Sequence, residues 1–183
     1  MAFWNETSVE PKRNYRFQVE ITGLEGDSVI WWAKTFKPPS YEISEVVHDY
    51  LDNKYYFPGR LTWADVNMTL IDPVSPNAVA LTNKLIESAG YNVKTSVNQK
   101  ETMSKASSTS AVKNVVVSIL NANGDAIEVW TLKNSFLKSV SFSDLSYDND
   151  DLRTIDLTFR YDWAECDNTG ASTEDGEQFT TTS

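Results

Sequence analysis

The segment Thr154–Trp163 constrains the fold more than any other stretch of the chain. Ile155, Leu157, Phe159, Tyr161 and Trp163 alternate without a break with Thr154, Asp156, Thr158, Arg160 and Asp162. A strict period of two puts one row on each face of a β-strand. One row is wholly apolar or aromatic, so the strand needs a covered sheet and should lie near its centre. The chain has 183 residues, enough for one domain with a real core and short of two independent ones. At 40% hydrophobic and 12% aromatic residues, wholesale disorder is excluded.

Further strands follow from the same pattern. Tyr15, Phe17, Val19 and Ile21 alternate with polar residues, and after a turn over 23–27, Ser28–Phe36 carries Trp31 and Trp32 side by side, so both of its faces need cover. Pro38 and Pro39 break the sheet. Tyr41–Tyr50 and Lys54–Phe57 read as hairpin arms joined by Leu51–Asn53. With Glu42, Glu45, Asp49 and Asp52 along it, this arm reads as polar, acidic and protruding, and a lone hairpin needs a partner. Pro58-Gly59-Arg60 reads as a sharp re-entry into a strand over Leu61–Ile71, whose phase slips at Ala64-Asp65 and predicts a bulge. Ala78, Leu81, Leu85, Ile86 and Ala89 form a helical stripe, with Ser75 as N-cap, Pro76 at the first position and Gly90 as the stop. The Ser/Thr/Lys-rich stretch 91–113 reads as a long mobile loop. Val115–Leu120 and Ala126–Leu132 flank an Asn-Gly-Asp turn, and Phe136–Phe142 is the strand before the last.

The expected class is therefore mainly β, a sandwich or barrel-like domain with one flanking helix and a protruding hairpin. An N-terminal arm over 1–14 precedes a domain over 15–163. Residues 164–183 hold five acidic and no basic side chains and read as an acidic flexible tail.

Charge and residue supply narrow the function. Lys and Arg number 16 against 26 Asp and Glu, a net charge of −10, the reverse of what gripping nucleic-acid phosphates requires. The first residues lack the basic and apolar regions of a secretory signal, and no apolar run approaches a membrane span. The expectation is a soluble chain made in the cytoplasm. His48 is the only histidine and sits by the hairpin turn, where a solvated side chain is the default over a catalytic base. Cys166, the only cysteine, lies among carboxylates that disfavour its thiolate. Asp148, Asp150 and Asp151 lack the glycine and distal Glu of a calcium loop. No catalytic, metal or cofactor site is predicted. Trp63, Trp130 and Trp163 invite a sugar-stacking reading, but their strand positions favour core or subunit interface.

Three segments carry a resemblance. Lys54-Tyr-Tyr-Phe-Pro-Gly-Arg-Leu-Thr-Trp-Ala-Asp-Val-Asn-Met-Thr-Leu-Ile-Asp72 resembles a stretch of the tail tube proteins of contractile-tailed bacteriophages, in which a basic residue and a glycine turn lead into an aromatic, Asp-containing strand. Phe136–Asp148 followed by Ile155–Trp163 resembles the closing hairpin of that family, and Arg13–Ile21 its first strand. The resemblance implies subunits in hexameric rings whose sheets join into one β-barrel, stacked as a hollow tube inside a contractile sheath. Related subunits occur in type VI secretion. It further implies a virion location after assembly in the host cytoplasm. The implied partners are sheath, baseplate and tape measure proteins, with genomic DNA passing through unbound and no membrane contact. The ring-stacking role falls to Tyr41–Arg60, with Glu42, Glu45, His48, Asp49, Asp52, Lys54 and Arg60 as interface residues. Trp31, Trp32, Trp63, Phe159, Tyr161 and Trp163 are expected in the core or the inter-subunit sheet. Two other readings stay open: a baseplate initiator or tail-end ring of the same fold, and a carbohydrate-binding β-sandwich. An acidic lumen would repel DNA and let it slide.

Overall fold

The alternating segments pair as antiparallel strands in two sheets and a separate hairpin. The computed structural model describes residues 11–24, 27–30, 33–75, 77–91, 102–148 and 150–168. Most of the N-terminal arm, Trp31, Trp32, Pro76, residues 92–101 and the tail beyond residue 168 lie outside the described residues.

The five-stranded sheet has the order β11 (Trp163–Asp167), β8 (Ala126–Lys133), β7 (Asn114–Leu120), β1 (Phe17–Leu24), β2 (Asp27–Ile30). The four-stranded sheet runs β3 (Ala33–Phe36), β6 (Val66–Ile71), β10 (Thr154–Arg160), β9 (Phe136–Phe142). The expected central strand is β10, between β6 and β9. The core forms where the inner rows meet. Val19, Ile21, Val115, Val117 and Leu132 come from one sheet, and Val66, Met68, Leu70, Ile155, Leu157 and Phe159 from the other, with Tyr161 just beyond β10. On the outer face of the second sheet, Thr69 Oγ1 donates to Asp156 (2.6 Å) and Thr158 Oγ1 to Asn67 (3.0 Å) across adjacent strands.

Several expectations need correction. Ser28–Phe36 is not one strand: β2 and β3 belong to different sheets. The turn over 23–27 is shorter than expected, because Gly23 and Leu24 still belong to β1 and Asp27 opens β2. The hairpin strand does not stop at Phe57. β5 (Asn53–Trp63) continues through Pro58-Gly59-Arg60 opposite β4 (Tyr41–Tyr50). The proline is tolerated because this sheet has only two strands, so each is an edge. The slip at Ala64-Asp65 is a full break, at which the chain passes from the hairpin to β6.

Helix α1 (Ala78–Ser88) is capped by Asn77, whose Oδ1 accepts from Ala80 N–H (2.9 Å), rather than by Ser75, which lies in the preceding turn. The stop does fall at Gly90. It takes φ +99°, with Gly90 N–H bonded to Glu87 O and Tyr91 N–H to Ile86 O, a Schellman closure.

A second helix corrects the single-helix expectation. Within the stretch read as a mobile loop, α2 (Lys105–Val112) is capped by the Ser104 hydroxyl. It packs against α1, β1 and β9, burying Ser108, Ala111 and Val112. Serine and threonine are weak helix formers, and burial of this face between the two sheets overrides the propensity.

The acidic segment from Ala164 begins as a strand, since β11 pairs with β8 along Trp163–Asp167. The chain changes sheets at Tyr161-Asp162, beside the β8–β9 crossing at Asn134-Ser135. Asp162 joins the two crossings: its backbone N–H donates to Lys133 O (3.1 Å), and its carboxylate accepts from Asn134 Nδ2 (2.9 Å) and Lys105 Nζ (2.7 Å). This change of sheet takes Trp163 off the buried row that the alternation placed it on, and it is exposed.

Candidate assembly surface

The β4–β5 hairpin forms a sheet of its own, and every residue in it except Trp63 is exposed. Its base is fastened to the body at several points. The Tyr41 ring meets Trp63 edge-on at 5.3 Å, and Trp63 lies 5.9 Å from Tyr161 in the core. Ala64 N–H donates to Ser40 O (2.8 Å). Arg160, at the end of β10, donates through Nη1 to Trp63 O (2.7 Å) and to Asp65 Oδ1 (3.0 Å), while Lys138 of β9 reaches Asp65 Oδ2 (2.5 Å). The Lys138 ammonium, with Arg160, holds the Asp65 carboxyl below the usual carboxylate range against an opposing push from burial.

Midway along the hairpin, Gly59 and Arg60 together oppose Ser44, a β-bulge. Arg60 N–H donates to Ser44 Oγ (2.9 Å), and the Ser44 hydroxyl donates to Arg60 O (3.3 Å). A Cβ at Gly59 would lie 2.3 Å from Ser44 Oγ and 2.8 Å from Ser44 O, so this close approach requires glycine. The tip is two residues, Leu51-Asp52, with Tyr50 paired to Asn53; the expected three-residue turn is one too long. Leu51 takes φ +52° and is 86% exposed, a conformation that costs about 1–2 kcal/mol for a side chain with a Cβ.

The register places the predicted stacking residues. Asp49 faces Lys54 across the strands, with Asp52 in the tip beside them; His48 faces Tyr55, Glu42 faces Thr62 and Glu45 faces Pro58. Arg60 sits in the bulge. Composition understates the apolar content of this arm. Tyr41, Ile43 and Val47 share one face with Trp63, Leu61 and Tyr56, while Val46 and Tyr50 share the other with Phe57 and Tyr55. Nearly all of these are exposed. The alternation of two apolar sets along Val46-Val47 and Tyr55-Tyr56-Phe57 was the available signal, and it calls for cover on both faces.

Of the residues expected in the core or inter-subunit sheet, Phe159 and Tyr161 are buried in the core cluster and Trp63 is half-buried against it. Cys166 lies half-buried on β11, where burial, with Glu128 next, pushes its thiol pKa up. His48, on the exposed arm, faces Tyr55 rather than a nucleophile. Among the described residues no group of three His, Cys, Asp or Glu side chains is arranged to hold a metal ion, and no helix is long and apolar enough to cross a membrane.

Two packed antiparallel sheets, a helical pair beside them and an outlying hairpin define a mainly-β architecture that recurs in contractile injection systems. The chain is similar to one in the cryo-EM structure of the anti-feeding prophage baseplate, with TM-score 0.65, 12% identity, and coverage of 86% of this chain and 96% of that one. It is similar to a chain of the sheath/tube terminator of the extracellular contractile injection system PVC, with TM-score 0.61, 15% identity, and coverage of 88% and 99%. A chain of the anti-feeding prophage tube-terminating cap gives TM-score 0.60 at 17% identity, covering 92% and 99%. Their descriptions name a baseplate, a sheath/tube terminator and a tube-terminating cap. No family model matches the chain, and no curated protein matches its sequence.

Proposed function

We propose that the chain is a tube subunit of a contractile injection machine, a phage tail or a related particle, that forms hexameric rings stacked into a hollow conduit through the β4–β5 hairpin. The observation that carries this reading is the hairpin: two strands, apolar and aromatic on both faces, exposed along nearly its whole length and firmly anchored only at its base. A two-stranded ribbon is marginal in water by itself, and an apolar surface of this extent marks a contact with another macromolecule. Leu51 fits the same reading, standing exposed at the tip in a left-handed conformation. The net charge of −10 suits a conduit through which DNA moves without sticking. On this reading Glu42, Glu45, His48, Asp49, Asp52, Lys54 and Arg60 meet the adjacent ring, and sheath, baseplate and tape measure proteins are the partners of the assembled tube.

The test is charge reversal at the tip. Asp49→Lys and Asp52→Lys leave the folded body untouched, as circular dichroism would report, and impair ring stacking seen in micrographs. Tubes of normal length from both variants refute the assignment. A second reading, a baseplate initiator or terminal ring, is favoured by the likeness to baseplate and cap chains. It predicts single rings that do not extend.

A further inference from the structure

A groove of about 440 Å³ opens beside the start of β1, with Phe17 of β1, Ile119 of β7, Trp130 of β8, Phe36 of β3 and Pro38 along it. Phe17, Phe36 and Trp130 pack on the core with one side and stay half-open on the other. The floor is therefore aromatic and aliphatic surface that the two-sheet body leaves uncovered, the kind that takes an apolar occupant.

The chain enters the described residues at this groove. Arg16 N–H donates to Arg13 O (3.2 Å) in the turn ahead of β1, and Lys12, Arg13 and Asn14 form the groove's edge. Lys12 is tied there by Glu128 of β8. The segment that precedes Pro11, Met1-Ala-Phe-Trp-Asn-Glu-Thr-Ser-Val-Glu10, carries two adjacent aromatic side chains, Phe3 and Trp4. The opposite terminus also leaves from nearby, where β11 pairs with β8 at Cys166 and Trp130. Residues 169–183, however, hold a single aromatic side chain, Phe179, among polar and acidic ones. Charge does not choose between occupants, because Glu6, Glu10 and Glu128 offset Lys12, Arg13 and Arg16. Apolar content and tethering do.

We infer that the N-terminal arm, residues 1–10, folds back over the groove of its own chain and seats Phe3 and Trp4 on the floor made by Phe17, Phe36, Ile119 and Trp130. Two flat aromatic side chains match an aromatic floor, on which they can stack offset or edge-on. The stretch from Trp4 to Glu10 spans up to roughly 25 Å when extended, several times the width of a groove of this volume, so the arm has the length to double back. Tethered at the rim, it meets its own groove at an effective concentration on the order of millimolar, ahead of any segment from another copy. The inference stands apart from ring assembly. It gives the groove a cover within each copy and leaves the hairpin as the surface that other copies cover.

The experiment places the photo-crosslinker p-benzoylphenylalanine at position 4 of the full chain and mixes it with ¹⁵N-labelled unmodified chain before irradiation. Mass spectrometry then separates contacts within one copy from contacts between copies. Cross-links from position 4 to peptides of the same copy that carry Phe36, Ile119 or Trp130 are expected. Phe3→Ser in the modified chain should lower their yield several-fold, because the two rings seat together, and Phe3→Tyr should preserve it. Both substitutions lie in the arm and leave the folded body intact, as circular dichroism would report. Cross-links to the other isotope mean that the arm is exchanged between copies and overturn the inference. So do cross-links directed to the hairpin, their absence, or a yield indifferent to Phe3→Ser. Micrographs of the same samples bear on the tube reading alone, so hollow tubes without groove cross-links remove this contact only, and groove cross-links in a chain that stays monomeric remove the tube only.

Discussion

Tyr161 carries the one buried hydroxyl among the described aromatic side chains that has no hydrogen-bond partner there, and burial pushes its pKa up. A phenol desolvated without a partner is a cost, so Tyr161→Phe should leave unfolding stability unchanged or raise it by up to about 1 kcal/mol. Urea denaturation measures this, and a clear loss would reveal a partner for the hydroxyl. Asp65 and Asp162 work in the opposite direction. Lys138 first, with Arg160, depresses the pKa of Asp65; Lys105 first, then Asn134, depresses that of Asp162. The folded state then binds fewer protons than the unfolded chain, so these groups add stability that is complete above the ordinary Asp pKa of about 3.9 and lost as pH falls through the depressed values. Asp65→Asn should remove part of that acid limb and cost on the order of 1 kcal/mol at pH 7, because both groups it pairs with are partly exposed. Thermal melts between pH 2 and pH 7 would check both statements.

At the scale of elements, the hairpin depends on one close contact. Gly59→Ala drives a methyl into Ser44 and should disorder the bulge while sparing the two-sheet body. Amide exchange should rise several-fold along β4 and β5 and stay unchanged in β6 and β10, and equal protection in both regions would disprove it. Strands with one buried face were legible in the sequence because period-two alternation reports burial directly: β7, β8 and β9 lie within one residue of where the pattern puts them, while β1 runs three residues past Ile21 and β10 stops three short of Trp163. Helix α2 was hidden because its eight residues, Lys-Ala-Ser-Ser-Thr-Ser-Ala-Val, carry almost no apolar period, and its helicity comes from tertiary packing. The passage of Trp163 to another sheet was equally hidden. Nothing in an unbroken alternation reports that the chain turns at Asp162, whose Lys105 and Asn134 partners lie 57 and 28 residues away.

For the whole molecule, architecture and assembly were legible to different degrees. The mainly-β class follows from alternation, and the fold expected from the tube-protein resemblance agrees with the solved chains it matches in shape. The hairpin was visible as an arm, yet its acidic residues drew attention away from the apolar rows that make it need a partner. On the proposed reading, the exposed two-faced hairpin finds its cover on other copies of the chain. Negative-stain electron microscopy of the full chain across a concentration series tests this most directly. Hollow tubes, or rings that stack as concentration rises, are the predicted result, and monomers at every concentration would contradict it.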